Sequence, residues 1–210
     1  TAGQGKTKYD ADVRSELITS WEAGAELKFF NNRLGVDFAW YKTNAKRQLM
    51  NIPLNNLSGY DNMKVNAGNI QNTGIEIMLN ARPIETTQFS WDTQLNFSQN
   101  KSKIIELLPG KPGMQYALGG SDALQVYAVA GGAYGEIWGT KYQRVEEGEF
   151  KGQLLLNESG LPQATSDKHK IGEQQPDFLL GWTNTFNYKN FTLSFLIDGR
   201  FGGDIFSFTN

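Results

Sequence analysis

The chain has 210 residues, a net charge of −2 and no cysteine. That balance excludes a broad basic field for nucleic acid, and it excludes disulfides, thiol catalysis and Cys-ligated zinc. No apolar run approaches the roughly 20 residues a membrane helix needs, while aromatics at 12% and 23 glycines suit strands joined by turns.

Taken in order, the chain opens on Gly3 to Thr7, "GQGKT". This ends like a phosphate-binding loop, but the glycine five positions before Gly5 falls off the chain and no strand precedes it, so it reads as a linker. A first strand is predicted near 18–30, where Trp21, Ala23, Ala25, Leu27 and Phe29 alternate with Ser20, Glu22, Gly24, Glu26 and Lys28. A second, near 34–47, sets Leu34, Val36, Phe38 and Trp40 against Gly35, Asp37, Ala39 and Tyr41. A third, near 70–82, sets Ile75, Ile77 and Leu79 against Gly74, Glu76, Met78 and Asn80. A fourth, near 88–100, carries Phe89, Trp91, Leu95 and Phe97 on one side. A shorter candidate lies near 135–145. The last two, near 177–188 and 190–201, carry Phe178, Leu180, Trp182, Phe186 and Tyr188, then Phe191, Leu193, Phe195 and Ile197.

The connections alternate in length. Short turns join the first strand to the second, the third to the fourth and the last two to each other, whereas long loops are expected near 48–69 and 102–176. Short turns at one end and long loops at the other are the layout of a bacterial outer-membrane barrel. A soluble domain rarely holds a structureless connection beyond about 15 residues. Strand length agrees, since a spanning strand takes about 9–11 residues. Aromatics gather at both strand ends: Phe29, Phe30, Phe89, Trp91, Tyr188 and Phe191 beside the short turns, and Trp21, Trp40, Tyr41 and Phe178 nearer the loops. Two interfacial girdles would produce that distribution. The competing reading is a soluble β-sandwich, binding carbohydrate through loop aromatics such as Tyr116, Tyr134 and Trp138.

Several stretches resemble sites without making one. Gly131 to Gly139, "GGAYGEIWG", does not match dinucleotide spacing and reads as glycine at a strand start or bulge. His169 is the only histidine, so metal binding and a catalytic triad both lack partners. Glu146, Glu147 and Glu149 read as loop surface. The basic stretch "YKTNAKRQ", Tyr41 to Gln48, reads as an anchor near charged lipid headgroups. No catalytic, metal or cofactor-binding residue is assigned, and no enzyme activity is expected.

Four stretches carry a family resemblance. Glu22, Gly24, Glu26, Phe30, Asn32, Arg33, Leu34 and Tyr41 fall in one run; Asn66, Gly68, Asn72, Gly74 and Glu76 in the next; then Trp91, Asn96 and Asn100; and last Ile171, Gly172, Pro176, Gly181, Tyr188, Gly202 and Gly203. Together they resemble the SusC/RagA family of TonB-dependent outer-membrane receptors over most of residues 15–206. One departure is "LLNESGLPQATSDKHK", where many relatives carry an Asp-rich run, which puts any metal or turn role there in doubt.

The resemblance implies an all-β, antiparallel up-and-down meander, a slice of a barrel of about 22 strands closed by a plug. The plug domain, the segment that engages TonB and the final strand would lie outside this chain. Such receptors lie in the bacterial outer membrane. They import glycans or oligopeptides, are capped by a SusD-like lipoprotein, and draw energy through TonB without covalent chemistry on the cargo. No substrate-binding residue is readable; the loop over 107–175 is the best place to look.

Overall fold

The structure, a computed structural model, describes residues 6–54, 56–121 and 124–207. In chain order the strands are β1 (Thr7–Tyr9), β2 (Leu17–Phe29), β3 (Leu34–Pro53), β4 (Asn62–Glu85), β5 (Phe89–Glu106), β6 (Gln115–Gly120), β7 (Leu124–Val129), β8 (Tyr134–Gly139), β9 (His169–Glu173), β10 (Phe178–Tyr188) and β11 (Phe191–Phe201), with one 3₁₀ turn over Asn56–Ser58. The described residues form an all-β protein.

Six strands make one antiparallel sheet in the order β2-β3-β4-β5-β10-β11, and β1 adds a short parallel pairing to β4. Neighbours in this sheet follow each other in sequence except between β5 and β10. There the chain leaves to build a second antiparallel sheet, β6-β7-β8-β9. The large sheet does not close: β2 and β11 are its two edges.

Turn chemistry explains the short connections. Phe30, Asn31 and Asn32 all take positive φ, at 53°, 56° and 67°, and asparagine tolerates that region better than most residues. Lys189 does the same at 51° between β10 and β11. At the third turn Thr86 takes over the hydrogen bonding: its hydroxyl accepts from the Phe89 backbone N–H at 2.9 Å.

Two expectations about the loops are corrected. The loop near 48–69 is mostly strand, because β3 runs 20 residues and β4 runs 24. The loop near 102–176 holds the end of β5 and the whole second sheet. The candidate strand near 135–145 is β8, Tyr134–Gly139, and it belongs to that second sheet rather than to the wall. Alternation gave no warning because these segments meet protein and water, so nothing requires one whole side to be apolar.

The buried apolar residues lie at the loop end of the fold. Ile104 (fully buried), Leu107 and Ala128 form a cluster with Met50, Ile70, Tyr116 and Ala130 around it. The second sheet is seated there on the tops of β3, β4 and β5. Below, the large sheet has no core of this kind, and its apolar residues stand largely uncovered.

Candidate functional site

Strand register assigns every side chain of the large sheet to one of two faces. One cross-strand row runs Ala25, Phe38, Ile77, Phe97, Leu180, Gly199; the next runs Leu27, Val36, Leu79, Leu95, Trp182, Ile197. The rows between them point the other way. One runs Gly24, Ala39, Glu76, Ser98, Leu179, Arg200, and another Glu26, Asp37, Met78, Asn96, Gly181, Asp198. The polar face is the concave one: it walls a trough of roughly 880 Å³ that includes Glu26, Asp37, Glu76, Asn96 and Asp198. The apolar face carries Trp21 and Phe191, which are 70% and 78% exposed. An uncovered apolar face of this extent has to meet an apolar medium. The eleven residues of β10 at about 3.3 Å each span about 36 Å. Tilted by about 40°, they cover the roughly 25 Å apolar band of an outer membrane.

The short-turn end carries an aromatic cluster on the outward face. Phe186 stacks with Trp91 at 5.7 Å, with Phe195 at 6.2 Å and with Phe89 at 6.4 Å between ring centres. At the other end Phe178 stacks on Phe201 at 4.5 Å and approaches Phe97 at 5.6 Å. Tyr41 is a correction to the expected upper girdle. It lies on the concave face, where its ring covers Gly74 and its hydroxyl donates to Asn100 Oδ1 at 3.4 Å.

The family-signature residues turn out to be architectural. Gly74 is required because a Cβ there would collide with the Tyr41 ring and lie 2.7 Å from the Gln99 carbonyl. Asn100 in turn donates to Asn72 Oδ1 at 3.5 Å. Asn66 donates to the backbone carbonyls of Arg14 and Arg47, each at 2.8 Å, tying the segment before β2 to the β3–β4 pair. Gly172 makes room for Asp204, whose carboxylate accepts from the Glu173 N–H at 2.9 Å. The concave wall's charges are partly paired: Lys28 with Glu26 at 2.6 Å, and Arg82 with Asp92 at 2.6 Å and Glu85 at 3.1 Å.

The second sheet holds one buried charge. Glu136 accepts from Trp138 Nε1 at 3.0 Å and from Lys170 Nζ at 2.9 Å, and Lys170 also reaches Glu173 at 3.1 Å. Burial works to lower the Lys170 pKa, but the hydrogen bonds and charges of Glu136 and Glu173 outweigh it and hold it above the ordinary lysine value.

The tempting motifs take structural roles. Gly3, Gln4 and Gly5 lie outside the described residues; Lys6 pairs with Asp61, and Thr7 begins β1. Gly135, at φ 89°, is the extra residue where the β7–β8 register shifts, a bulge. His169 opens β9 on the surface, and Glu146, Glu147 and Glu149 are exposed loop residues. Among the described residues no three His, Asp or Glu side chains gather as metal ligands would. The run in place of the Asp-rich segment does form a turn: Asn157 Oδ1 accepts from the N–H groups of Ser159 and Leu161, each at 2.9 Å. Tyr116, Tyr134 and Trp138 make no shared platform. Tyr116 packs on the core cluster, and the Trp138 indole is spent on Glu136.

A family model described as TonB dependent receptor-like, beta-barrel matches residues 1–198. The chain belongs to that family. TonB-dependent receptor P3 of Formosa agariphila is 29% identical over 94% of this chain. TonB-dependent receptor SusC of Bacteroides thetaiotaomicron is 30% identical over 89% of it. The chain spans 22% and 19% of these two relatives. Among solved structures, the RagAB peptide importer in its open-open state superposes with a TM-score of 0.71 at 18% identity, over 91% of this chain and 21% of that one. The RagAB peptide transporter gives 0.64 at 19%, over 87% and 21%. The sheet is therefore a SusC/RagA-type barrel wall of the bacterial outer membrane, with its apolar face toward lipid and its concave face toward the lumen.

Proposed function

We propose that this chain is part of the wall of a TonB-dependent importer that carries large nutrients, glycans or oligopeptides, across the outer membrane. The support is the segregation of the two faces: six strands give lipid a predominantly apolar surface and give the lumen carboxylates, amides and glycines. A SusD-like lipoprotein at the extracellular face and TonB, engaged through a part outside this chain, are the implied partners. The cargo is moved, not chemically changed. Substrate contacts, where this segment makes them, are proposed within 107–175, which stands at the loop end of the wall. The soluble carbohydrate-binding sandwich is not favoured, since its sheets would bury the face that is open here.

The test is uptake by cells of the source organism with the gene present, deleted, or present while the inner-membrane proton gradient is collapsed. Uptake of a labelled glycan or oligopeptide that needs both the gene and the gradient is the expected result. Uptake unchanged by deletion across both cargo classes would overturn the proposal.

A further inference from the structure

The outward face changes chemistry abruptly at the loop end of the wall. The row Ala23, Trp40, Ile75 and Gln99 is the last that is mainly apolar. The next row is Trp21, Lys42, Thr73 and Lys101, and the row above is Thr19, Asn44, Gln71 and Lys103. Lys46 follows one row higher. The four lysines therefore share the face that meets lipid below them, and Lys46, Lys101 and Lys103 are exposed.

Their neighbours leave them free. The Asn44 amide donates to Asn69 Oδ1 at 3.1 Å, and the Gln71 amide donates to Asn44 Oδ1 at 3.3 Å, so the carboxamides satisfy one another. Among the described residues none of the four lysines forms an ion pair, although seven such pairs occur elsewhere. The acids of the lower wall, Glu26, Asp37, Glu76 and Asp198, are on the opposite, concave face. On the outward face Glu106 shares the Lys46 row, across Asn69 from it and beyond the Lys103 row.

We infer that Lys42, Lys101 and Lys103, with Lys46 above them, form a binding site for the phosphate groups of an outer-leaflet glycolipid. Strands are about 4.8 Å apart and residues i and i+2 about 6.7 Å apart. Lys42 and Lys101 are therefore about 10 Å apart across Thr73, and Lys103 is one step above Lys101. Flexible ammonium groups at that spacing close on one phosphate or bridge two. The height is right for a headgroup, because the acyl chains of the same lipid would lie on Trp40, Ile75 and the rows below. Trp21, level with Lys42, supplies the amphipathic ring expected where acyl chain meets headgroup. A free anion would gain only the charges; a lipid gains the charges and the apolar wall together, which is why the site is assigned to a lipid.

This inference rests on the membrane reading of the wall, so the experiment first checks that reading in the full-length protein. Wild type should fractionate with outer membranes and shift in gel mobility on boiling. Failure there removes the wall assignment itself, and the lipid site with it. The purified full-length protein is then titrated by native mass spectrometry with bis-phosphorylated lipid A, with its dephosphorylated form, and with inorganic phosphate as competitor. Bis-phosphorylated lipid should bind more tightly than the dephosphorylated form. At about fivefold per lysine, Lys42→Gln/Lys101→Gln/Lys103→Gln should weaken it about a hundredfold. The equally charged control Lys111→Gln/Lys141→Gln/Lys151→Gln should leave it unchanged. Equal binding of both lipids, equal loss in the control, or displacement by millimolar phosphate would each overturn the lipid assignment while leaving the wall intact. Should the triple variant not reach the membrane, the wild-type comparison of the two lipids decides alone.

Discussion

The lower and upper halves of β4 and β5 obey opposite rules. In the lower half the apolar residues, Ile75, Ile77, Leu79, Leu95 and Phe97, point outward, touch only their neighbours in the same sheet face and have no second layer packed over them. In the upper half Ile70 and Ile104 pair across the same two strands, but on the concave side, and Ile104 is fully buried beside Leu107 and Ala128. The outward face at that height is occupied by Thr73, Gln71, Lys101 and Lys103. The strands do not change; what lies beside each face does. Lipid rewards an apolar outer side over the band it covers, and above it the second sheet rewards an apolar inner side.

That contrast can be broken at either end. The largest effect is expected from Ile104→Ala, which empties a fully buried site and should cost about 2–5 kcal/mol. It should do so locally: limited proteolysis should open the second sheet while the wall still inserts and still shifts on boiling. Ile77→Arg puts a charge on the lipid face and should cost about 2–4 kcal/mol, read as loss of folded protein from outer membranes, whereas Glu76→Arg, one residue away on the lumen side, should be tolerated. Equal tolerance of the two would mean the faces are misassigned.

Smaller changes sharpen the same picture. Gly74→Ala drives a methyl into the Tyr41 ring and the Gln99 carbonyl, and overpacking of this kind costs about 1–3 kcal/mol. In a Tyr41→Ala background the loss should shrink, as a thermal-unfolding cycle would show, without vanishing, because the carbonyl stays at 2.7 Å.

The smallest effect concerns Asn184, a polar residue in an outward row that is only 1% exposed beside the stacked rings of Trp91, Phe186 and Phe195. Its Oδ1 accepts from Trp91 Nε1 at 2.9 Å, while its Nδ2 has no partner. Asn184→Leu alone orphans the indole N–H and should cost about 1 kcal/mol. Paired with Trp91→Phe it should be near neutral in the same unfolding assay, since removing both partners of a buried hydrogen bond often is.

The lower half was legible in the sequence for a physical reason. Lipid outside and water inside are both uniform, so position after position of β2, β3 and β4 has to alternate, and Ile75 to Asn80 shows it without a break. The upper half was not legible. Val65 and Ala67 are buried and Arg47 takes a φ of 58°, features decided by the particular segment packed beside them. Asn184 escaped notice because a polar residue in a mostly apolar row is decided by its neighbours, here rings from two other strands. Tyr41 counts as a girdle residue by its place along the strand, but alternation with Trp40 puts it on the lumen side, and its register with Gly74 agrees. The signature asparagines and glycines marked the family correctly, yet Asn66, Gly74 and Gly172 hold backbone and side chains in place; nothing in their spacing points to cargo.

The most direct test of the central claim is a spin-label accessibility scan along β4 in lipid. Single cysteines would be placed at 74 to 80, one at a time, in the full-length protein with no other cysteine. The account expects oxygen collisions to peak at 75, 77 and 79 and a water-soluble nickel complex to peak at 74, 76, 78 and 80. Reversed phases, or no alternation at all, would contradict the assignment of the apolar face to lipid.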